Sequence, residues 1–306
     1  MPILHAIVLG IVQGLSEFLP ISSSGHLEIV PWLVGWDDFA GRPDLERAFD
    51  VAVHVGTLAG AIAYFRADLW RYALAAWSWV GERISSTGVA PPGPGPAGSA
   101  PDDAPFAAAD ADVDRVRDQR IAGLLVVSAV PAGVVGLTLA DALEGPAENH
   151  VLIGTLLVVF GLLLLWADRI GGVRPAGSWT RRDALIMGLA QAAALQPGVS
   201  RSGVTITAGR WLGLTRHAAA RLSFLMSVPV IAGAGVVAWR DAAGTGGIPT
   251  DLYPPVAWAV AASAITGYLA VWGTIRLVQT RSFAPFVVYR VLVGAGVVLV
   301  AVTGLR

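Results

Sequence analysis

The stretch Gln13-Gly14-Leu15-Ser16-Glu17-Phe18-Leu19-Pro20-Ile21-Ser22-Ser23-Ser24-Gly25-His26 sets an acid, a run of serines, a glycine and a histidine inside otherwise apolar sequence. Ionisable groups at membrane depth are costly, so by default they mark a functional site. A second polar island, Pro197-Gly198-Val199-Ser200-Arg201-Ser202-Gly203-Val204-Thr205, lies in the other half of the chain. The first offers carboxylate, hydroxyl and imidazole. The second offers a guanidinium ringed by hydroxyls and by backbone amides that glycine leaves open. This pair of chemistries suits a phosphate ester or anhydride carried on an apolar body.

The surrounding composition is that of a membrane protein. Of 306 residues, 55% are hydrophobic and 14% charged, and mean hydropathy is +0.63; a soluble domain carries roughly 25% charged residues. Lysine is absent, so all 21 basic residues are arginine, and the net charge of -1 points to no partner class. With no cysteine, disulfides, thiolate chemistry and cysteine metal sites are excluded. The N-terminus lacks the basic start of a signal peptide and is expected to belong to the mature chain.

A span needs about 20 apolar residues, and runs at roughly 120–140, 150–167, 217–239, 255–276 and 284–304 qualify, with 48–65 as a shorter sixth. The run 69–83, flanked by Arg66, Arg71 and Arg83 and holding Trp70, Trp77 and Trp79, predicts a separate interfacial helix. Residues 85–118, rich in Pro, Gly, Ala and Asp, predict a mobile extramembrane loop. Segments 1–36 and 181–214 are apolar but broken by Pro, Gly and Ser, which predicts two re-entrant helix pairs meeting at a central site. Their sequences also correspond, allowing a one-residue gap. Gly10-Ile11-Val12-Gln13 precedes Pro20 and Ser22-Ser23-Ser24-Gly25, as Gly188-Leu189-Ala190-Gln191 precedes Pro197 and Ser200-Arg201-Ser202-Gly203. The expected fold is an all-α polytopic membrane protein of about six transmembrane helices. It forms one domain, 1–306, as an inverted repeat of about 1–140 and about 150–306. The arginines of 168–182 place that loop in the cytoplasm, whereas 141–149 carries acids and no arginine, so both termini fall outside.

Within the islands, Arg201 can take phosphate bidentately, with Ser200, Ser202 and Thr205 as hydroxyl donors and Gly198 and Gly203 admitting the backbone. Glu17, one turn after Gln13, can hold a divalent cation or move a proton. His26 can attack phosphorus or act as a base. Ser22 and Ser23 are either nucleophiles and phosphate donors or helix caps. Asp50 and His54 share a face four residues apart and can support the site from behind, or form a buried structural pair. Tyr289 and Arg290, near the start of the last span, read as interfacial anchors.

At these residues the chain resembles the undecaprenyl-diphosphatase family, also called bacitracin-resistance proteins. The motifs are Gln13-Gly14, Glu17-Phe18-Leu19-Pro20, Ser22-Ser23 and Gly25-His26; Phe49-Asp50-Val51 with Gly56; and Gln196-Pro197-Gly198, Ser200-Arg201-Ser202-Gly203 and Thr205. Phe224-Leu225, Pro229, Ser282-Phe283, Pro285-Phe286 and Tyr289-Arg290 extend the likeness over nearly the whole chain. The resemblance implies a plasma-membrane enzyme whose site opens to the outer face. It would hydrolyse undecaprenyl, or another polyprenyl, diphosphate to the monophosphate and phosphate, recycling the lipid carrier for cell-envelope glycan synthesis. It further implies Mg²⁺ or Ca²⁺ at Glu17, with the Gln13 amide oxygen as a further ligand. Serine and histidine roles fall to Ser22, Ser23 and His26, and phosphate binding to Ser200, Arg201 and Thr205. Many members carry glutamate where this chain has Gln13, which is neutral and cannot serve as acid or base.

The acid-phosphatase-like lipid phosphatases are excluded, because they need a lysine and a histidine where this chain has no lysine and Thr207. The competing class is a polyprenyl-phosphate flippase or other anion transporter using the same pocket. Glu17 and His26 supply more acid–base capacity than binding requires. The expected partners are the lipid diphosphate and the bilayer, with no nucleic acid; a homodimer is a candidate assembly. Single cysteines introduced at 90 and 145 check the topology: from outside intact cells a membrane-impermeant thiol reagent reaches 145 and not 90, and the reverse pattern contradicts it.

Overall fold

A computed structural model describes residues 1–86, 106–144, 149–244 and 249–305. Among these residues the chain is built of α-helices: α1 Ile3–Phe18, α2 Ser23–Val34, α3 Pro43–Ser86, α4 Phe106–Glu144, α5 His150–Ile170, α6 Arg181–Ala193, α7 Arg201–Trp211, α8 Arg216–Gly244, α9 Tyr253–Leu277 and α10 Ala284–Thr303. Six are long and apolar enough to cross a bilayer, within Pro43–Trp79, Asp114–Thr138, His150–Ile170, Arg216–Val237, Thr250–Leu277 and Ala284–Thr303. The chain is an all-α polytopic membrane protein, as its composition predicts.

Two expectations need correction. The run 69–83 is not a separate interfacial helix but the continuation of α3, whose 44 residues extend about 66 Å at about 1.5 Å per residue. The polar turns and tryptophans therefore lengthen one span instead of starting a new element, and the crossing count stays at six. The loop expected at 85–118 is shorter, because α3 runs to Ser86 and α4 begins at Phe106. Asp118, taken as part of that loop, is buried in α4, where Arg71 Nε and Nη2 bond its two oxygens at 3.0 Å. Residues 87–105 of that segment lie outside the described residues.

The two broken segments fold alike. At 16 residues, α1 is about 24 Å long, short of the roughly 30 Å hydrocarbon core. It stops at Phe18 because Leu19 precedes a proline and is extended, at φ -62° and ψ 136°. Helix α2 then starts from Ser22, at φ 80°, whose hydroxyl accepts the Gly25 amide at 3.4 Å. In the other half Ser200, at φ 75°, starts α7 and its hydroxyl accepts the Gly203 amide at 3.1 Å. These two serines are the non-glycine residues with positive φ among the described residues. Each such conformation costs about 1–3 kcal/mol, offset by satisfying an amide at a helix start.

The short pairs are gripped by long helices: α1 packs on α9, α6 on α4, α3 on both α8 and α9, and α5 on α10. Glycine permits the closest of these approaches. A Cβ at Gly14 would lie 2.6 Å from the Ser263 carbonyl oxygen, and one at Gly56 2.6 Å from that of Val260. Away from the islands, buried Asp168 at the end of α5 takes Arg216 Nε at 2.6 Å and the Phe283 amide at 3.2 Å, tying α8 and α10 to α5.

Candidate active site

The two islands meet through Glu17 and Arg201. One Arg201 Nη2 donates to Glu17 Oε1 at 2.9 Å, and Nη1 donates to the Ser223 carbonyl at 2.9 Å. The guanidinium also lies 5.7 Å from the centre of the Phe18 ring, a cation–π geometry. The other carboxylate oxygen, Oε2, accepts from Ser23 Oγ at 2.6 Å and from Gln13 Nε2 at 3.1 Å. Glu17 is thus buried, and its carboxylate accepts from three side chains, with His54 Nε2 a further 3.5 Å from Oε2. A serine hydroxyl donating to a carboxylate fixed by a third group is the arrangement that activates an oxygen nucleophile.

His26 belongs to a second cluster. Its Nδ1 lies 2.6 Å from the Ser22 carbonyl oxygen and its Nε2 2.8 Å from the Tyr289 hydroxyl. Neither nitrogen bonds a serine hydroxyl or Glu17; the serine hydroxyl that meets a carboxylate is that of Ser23, on Glu17. Ser22 spends its hydroxyl on structure, accepting the amides of Gly25 and, at 3.2 Å, Gly198. The same holds beyond the second break. Ser200 caps α7, Ser202 Oγ donates to the Leu19 carbonyl at 3.1 Å, and Thr205 Oγ1 bonds Ser223 Oγ at 2.6 Å.

Arg290 overturns its reading as an interfacial anchor. It lies fully buried in α10 and donates only to backbone carbonyls: Pro20 at 3.2 Å, Gly198 at 3.0 Å, Val199 at 3.1 Å and, in α5, Leu157 at 3.0 Å. One side chain therefore holds both breaks. Gly203 and Gly161 make room for it, since a Cβ at Gly203 would sit 2.8 Å from Nη1. Tyr289 likewise turns its hydroxyl inward. The available signal was depth: an arginine about seven residues, or about 10 Å, into an apolar helix is too deep to reach water easily.

Asp50 and His54 stand behind Glu17. His54 Nδ1 donates to the Asp50 backbone carbonyl at 2.7 Å, leaving Nε2 toward Glu17. The Asp50 side chain lines a cavity of about 350 Å³ between α1, α2 and the start of α3, floored by Leu9, Leu27 and Phe49 and edged by Glu46 and Trp36. Asp50 thus stands between His54 and this cavity. The donors near Glu17 do not fit a resident divalent cation. They supply one carboxylate, already neutralised by Arg201, and the Gln13 amide, whose nitrogen faces that carboxylate while its oxygen is buried without a partner. A doubly charged ion there would lack the anionic ligands such ions require. Among the described residues no group of three or more acidic, histidine or cysteine side chains is placed to hold a metal.

A sequence model of the bacitracin resistance protein BacA family matches residues 6–296. An undecaprenyl-diphosphatase of Geobacter sulfurreducens is 42% identical over 303 residues, covering 97% of each chain. One of Pelobacter propionicus is 41% identical over 307 residues, covering 100% of this chain and 99% of its own. One of a Nocardioides species is 39% identical over 306 residues, covering 98% and 97%.

Removing the Arg290 guanidinium strands several buried carbonyls, each at roughly 1–3 kcal/mol. Arg290→Met therefore lowers the stability of the detergent-solubilised protein by at least about 3 kcal/mol, read from its thermal or denaturant unfolding midpoint. An unchanged midpoint would mean that the two breaks hold without it.

Proposed function

Because the chain belongs to the bacitracin resistance protein BacA family, we propose that it hydrolyses undecaprenyl diphosphate to the monophosphate and inorganic phosphate, recycling the lipid carrier of envelope glycan synthesis. The observation that carries this is the Ser23 hydroxyl on Glu17 Oε2 at 2.6 Å with Arg201 on the opposite oxygen. The terminal phosphate competes with Glu17 for Arg201, since a planar guanidinium takes phosphate bidentately. Glu17, released from the guanidinium, accepts the Ser23 proton. Ser23 Oγ then bonds to the terminal phosphorus as the bridging P–O bond breaks, and the lipid monophosphate leaves. Water cleaves the phosphoserine and frees phosphate. Arg201 and the amides at the start of α7 stabilise the charge that develops on the phosphoryl oxygens.

Ser22, Gly198, Ser200, Ser202, Gly203 and Thr205 shape the turns that present these groups. His26 takes a proton from the water that cleaves the phosphoserine, and Glu17 returns its proton to Ser23 Oγ as phosphate leaves. Gln13, His54 and Asp50 orient Glu17 and line its approach. A divalent cation that the reaction used would be held by the diphosphate oxygens and would offset their charge, since the protein lacks the anionic ligands for it.

The same reading takes the chain as one domain of two inverted repeats, about 1–140 and about 150–306, with α1–α2 and α6–α7 re-entrant. The matched Ser22 and Ser200 conformations support it, as does the reciprocal packing of α1 on α9 and α6 on α4. On this reading the site opens to the outer face of the plasma membrane; the arginine-rich loop 168–182, assigned to the cytoplasm, and the three crossings between the breaks support it. A homodimer is compatible with this arrangement. A flippase is disfavoured, because transport has no use for a serine aimed at a carboxylate.

Phosphate release from C55 polyprenyl diphosphate by the purified protein tests the proposal. Wild type releases phosphate, and Glu17→Ala loses at least about 100-fold in rate, the usual share of a general base. EDTA lowers the rate and Mg²⁺ restores it, yet Mg²⁺ alone leaves the unfolding midpoint of substrate-free protein unchanged. No release by folded, lipid-binding protein under any of these conditions would move the assignment to a transporter.

A further inference from the structure

His26 is held at both ring nitrogens, and one of the two bonds comes from α10. The Ser22 carbonyl can only accept, so Nδ1 at 2.6 Å carries the proton. With the ring neutral, as an imidazole is above about pH 6.5, Nε2 is the lone pair and the Tyr289 hydroxyl at 2.8 Å donates to it. The two rings lie nearly parallel, 14° apart with centres 5.6 Å apart. Packing does not call for this hydroxyl. Tyr289 is 41% exposed, and phenylalanine would cover the same surface. An interfacial tyrosine turns its hydroxyl to water, whereas this one turns it to a histidine that is 6% exposed. The next residue, Arg290, anchors α10 to the Pro20 and Gly198 carbonyls, so the hydroxyl is held in a fixed relation to the break that carries Ser22.

We infer that Tyr289 is a positioning residue for this reaction: its hydroxyl orients the His26 ring and keeps the Nε2 lone pair directed and unprotonated until the diphosphate is bound. The inference rests on the proposed phosphatase reading, in which His26 moves a proton. Removing the hydroxyl leaves the ring held at Nδ1 alone, free to swing about that bond and to lose the geometry that proton transfer needs. Substrate binding, which belongs to Arg201, is untouched.

The test is Tyr289→Phe in the full-length protein, with kcat and KM measured on C55 polyprenyl diphosphate. Imidazole ¹⁵N spectra of histidine-labelled wild type and variant accompany the kinetics, with the His26 signals assigned by their loss in His26→Gln. The expected result is a kcat about tenfold lower, the share of one directed hydrogen bond, with KM within about threefold and the fold intact. The Nε2 resonance moves to the position of a nitrogen without a hydrogen bond while the Nδ1–H signal stays. An unmoved Nε2 resonance, or a moved one with unchanged kcat, overturns the inference. A wild-type Nε2 signal that already lacks a hydrogen bond overturns it even if the variant does not fold. If His26→Gln keeps wild-type kcat, it is the proton-transfer role of His26 that fails; the spectra, which need no turnover, report separately on the Tyr289 bond.

Discussion

Where α1 and α6 stop, the turns that follow leave buried carbonyls with no partner in either helix, and the rest of this structure depends on how those carbonyls are satisfied. A buried backbone group left unmet costs about 1–3 kcal/mol. Arg290 meets this constraint for both breaks at once, reaching the Pro20 carbonyl on one side and the Gly198 and Val199 carbonyls on the other. Its charge is solvated by oriented carbonyl dipoles in place of a carboxylate. That choice leaves Glu17, the buried acid of the first island, to Arg201 and Ser23. Two arginines thus divide the labour: Arg290 holds the backbone, and Arg201 holds the Glu17 carboxylate.

The division also explains why the hydroxyls of the two islands are unequal. Ser22 and Ser200 occupy strained positive-φ positions and cap the helices that follow, with Ser22 reaching across to the Gly198 amide. Ser23, one residue on, is freed by that arrangement and turns toward Glu17. Residues that look interchangeable in a serine run are therefore separated by backbone geometry into a helix cap, Ser22, and a hydroxyl set on a carboxylate, Ser23. His26, four residues beyond Ser22, is turned the other way by the same helix, toward α10.

Much of this was legible in the sequence. The six spans follow from apolar runs of sufficient length, and the two breaks follow from Pro20 and Pro197 in company with neighbouring Ser and Gly, since proline by itself is carried inside α2, α4 and α8 at Pro31, Pro131 and Pro229. Glu17 and Arg201 stood out, with Ser22 and Ser23 not told apart, because charge and hydroxyl clusters are rare in such surroundings. Other features were hidden for physical reasons. Trp70, Trp77 and the arginines near them resemble a membrane interface, yet α3 is one helix because nothing in 66–69 breaks it; tryptophan and arginine are compatible with a helix that simply outruns the bilayer. Tyr289 and Arg290 were misplaced because hydropathy averages over a window and records that an arginine is present, not which way it points. The pairing of Ser23 with Glu17, in preference to His26, depends on a positive φ at Ser22 that no residue pattern announces.

The central claim is that Ser23, deprotonated by Glu17, attacks the terminal phosphorus. Rapid acid quench of the enzyme mixed with lipid diphosphate ³²P-labelled at the terminal phosphate tests it most directly. Acid-stable label on Ser23 during turnover, absent from Ser23→Ala and accompanied there by loss of phosphate release, is the predicted result. Acid-labile label on His26, or wild-type release by Ser23→Ala, would contradict it.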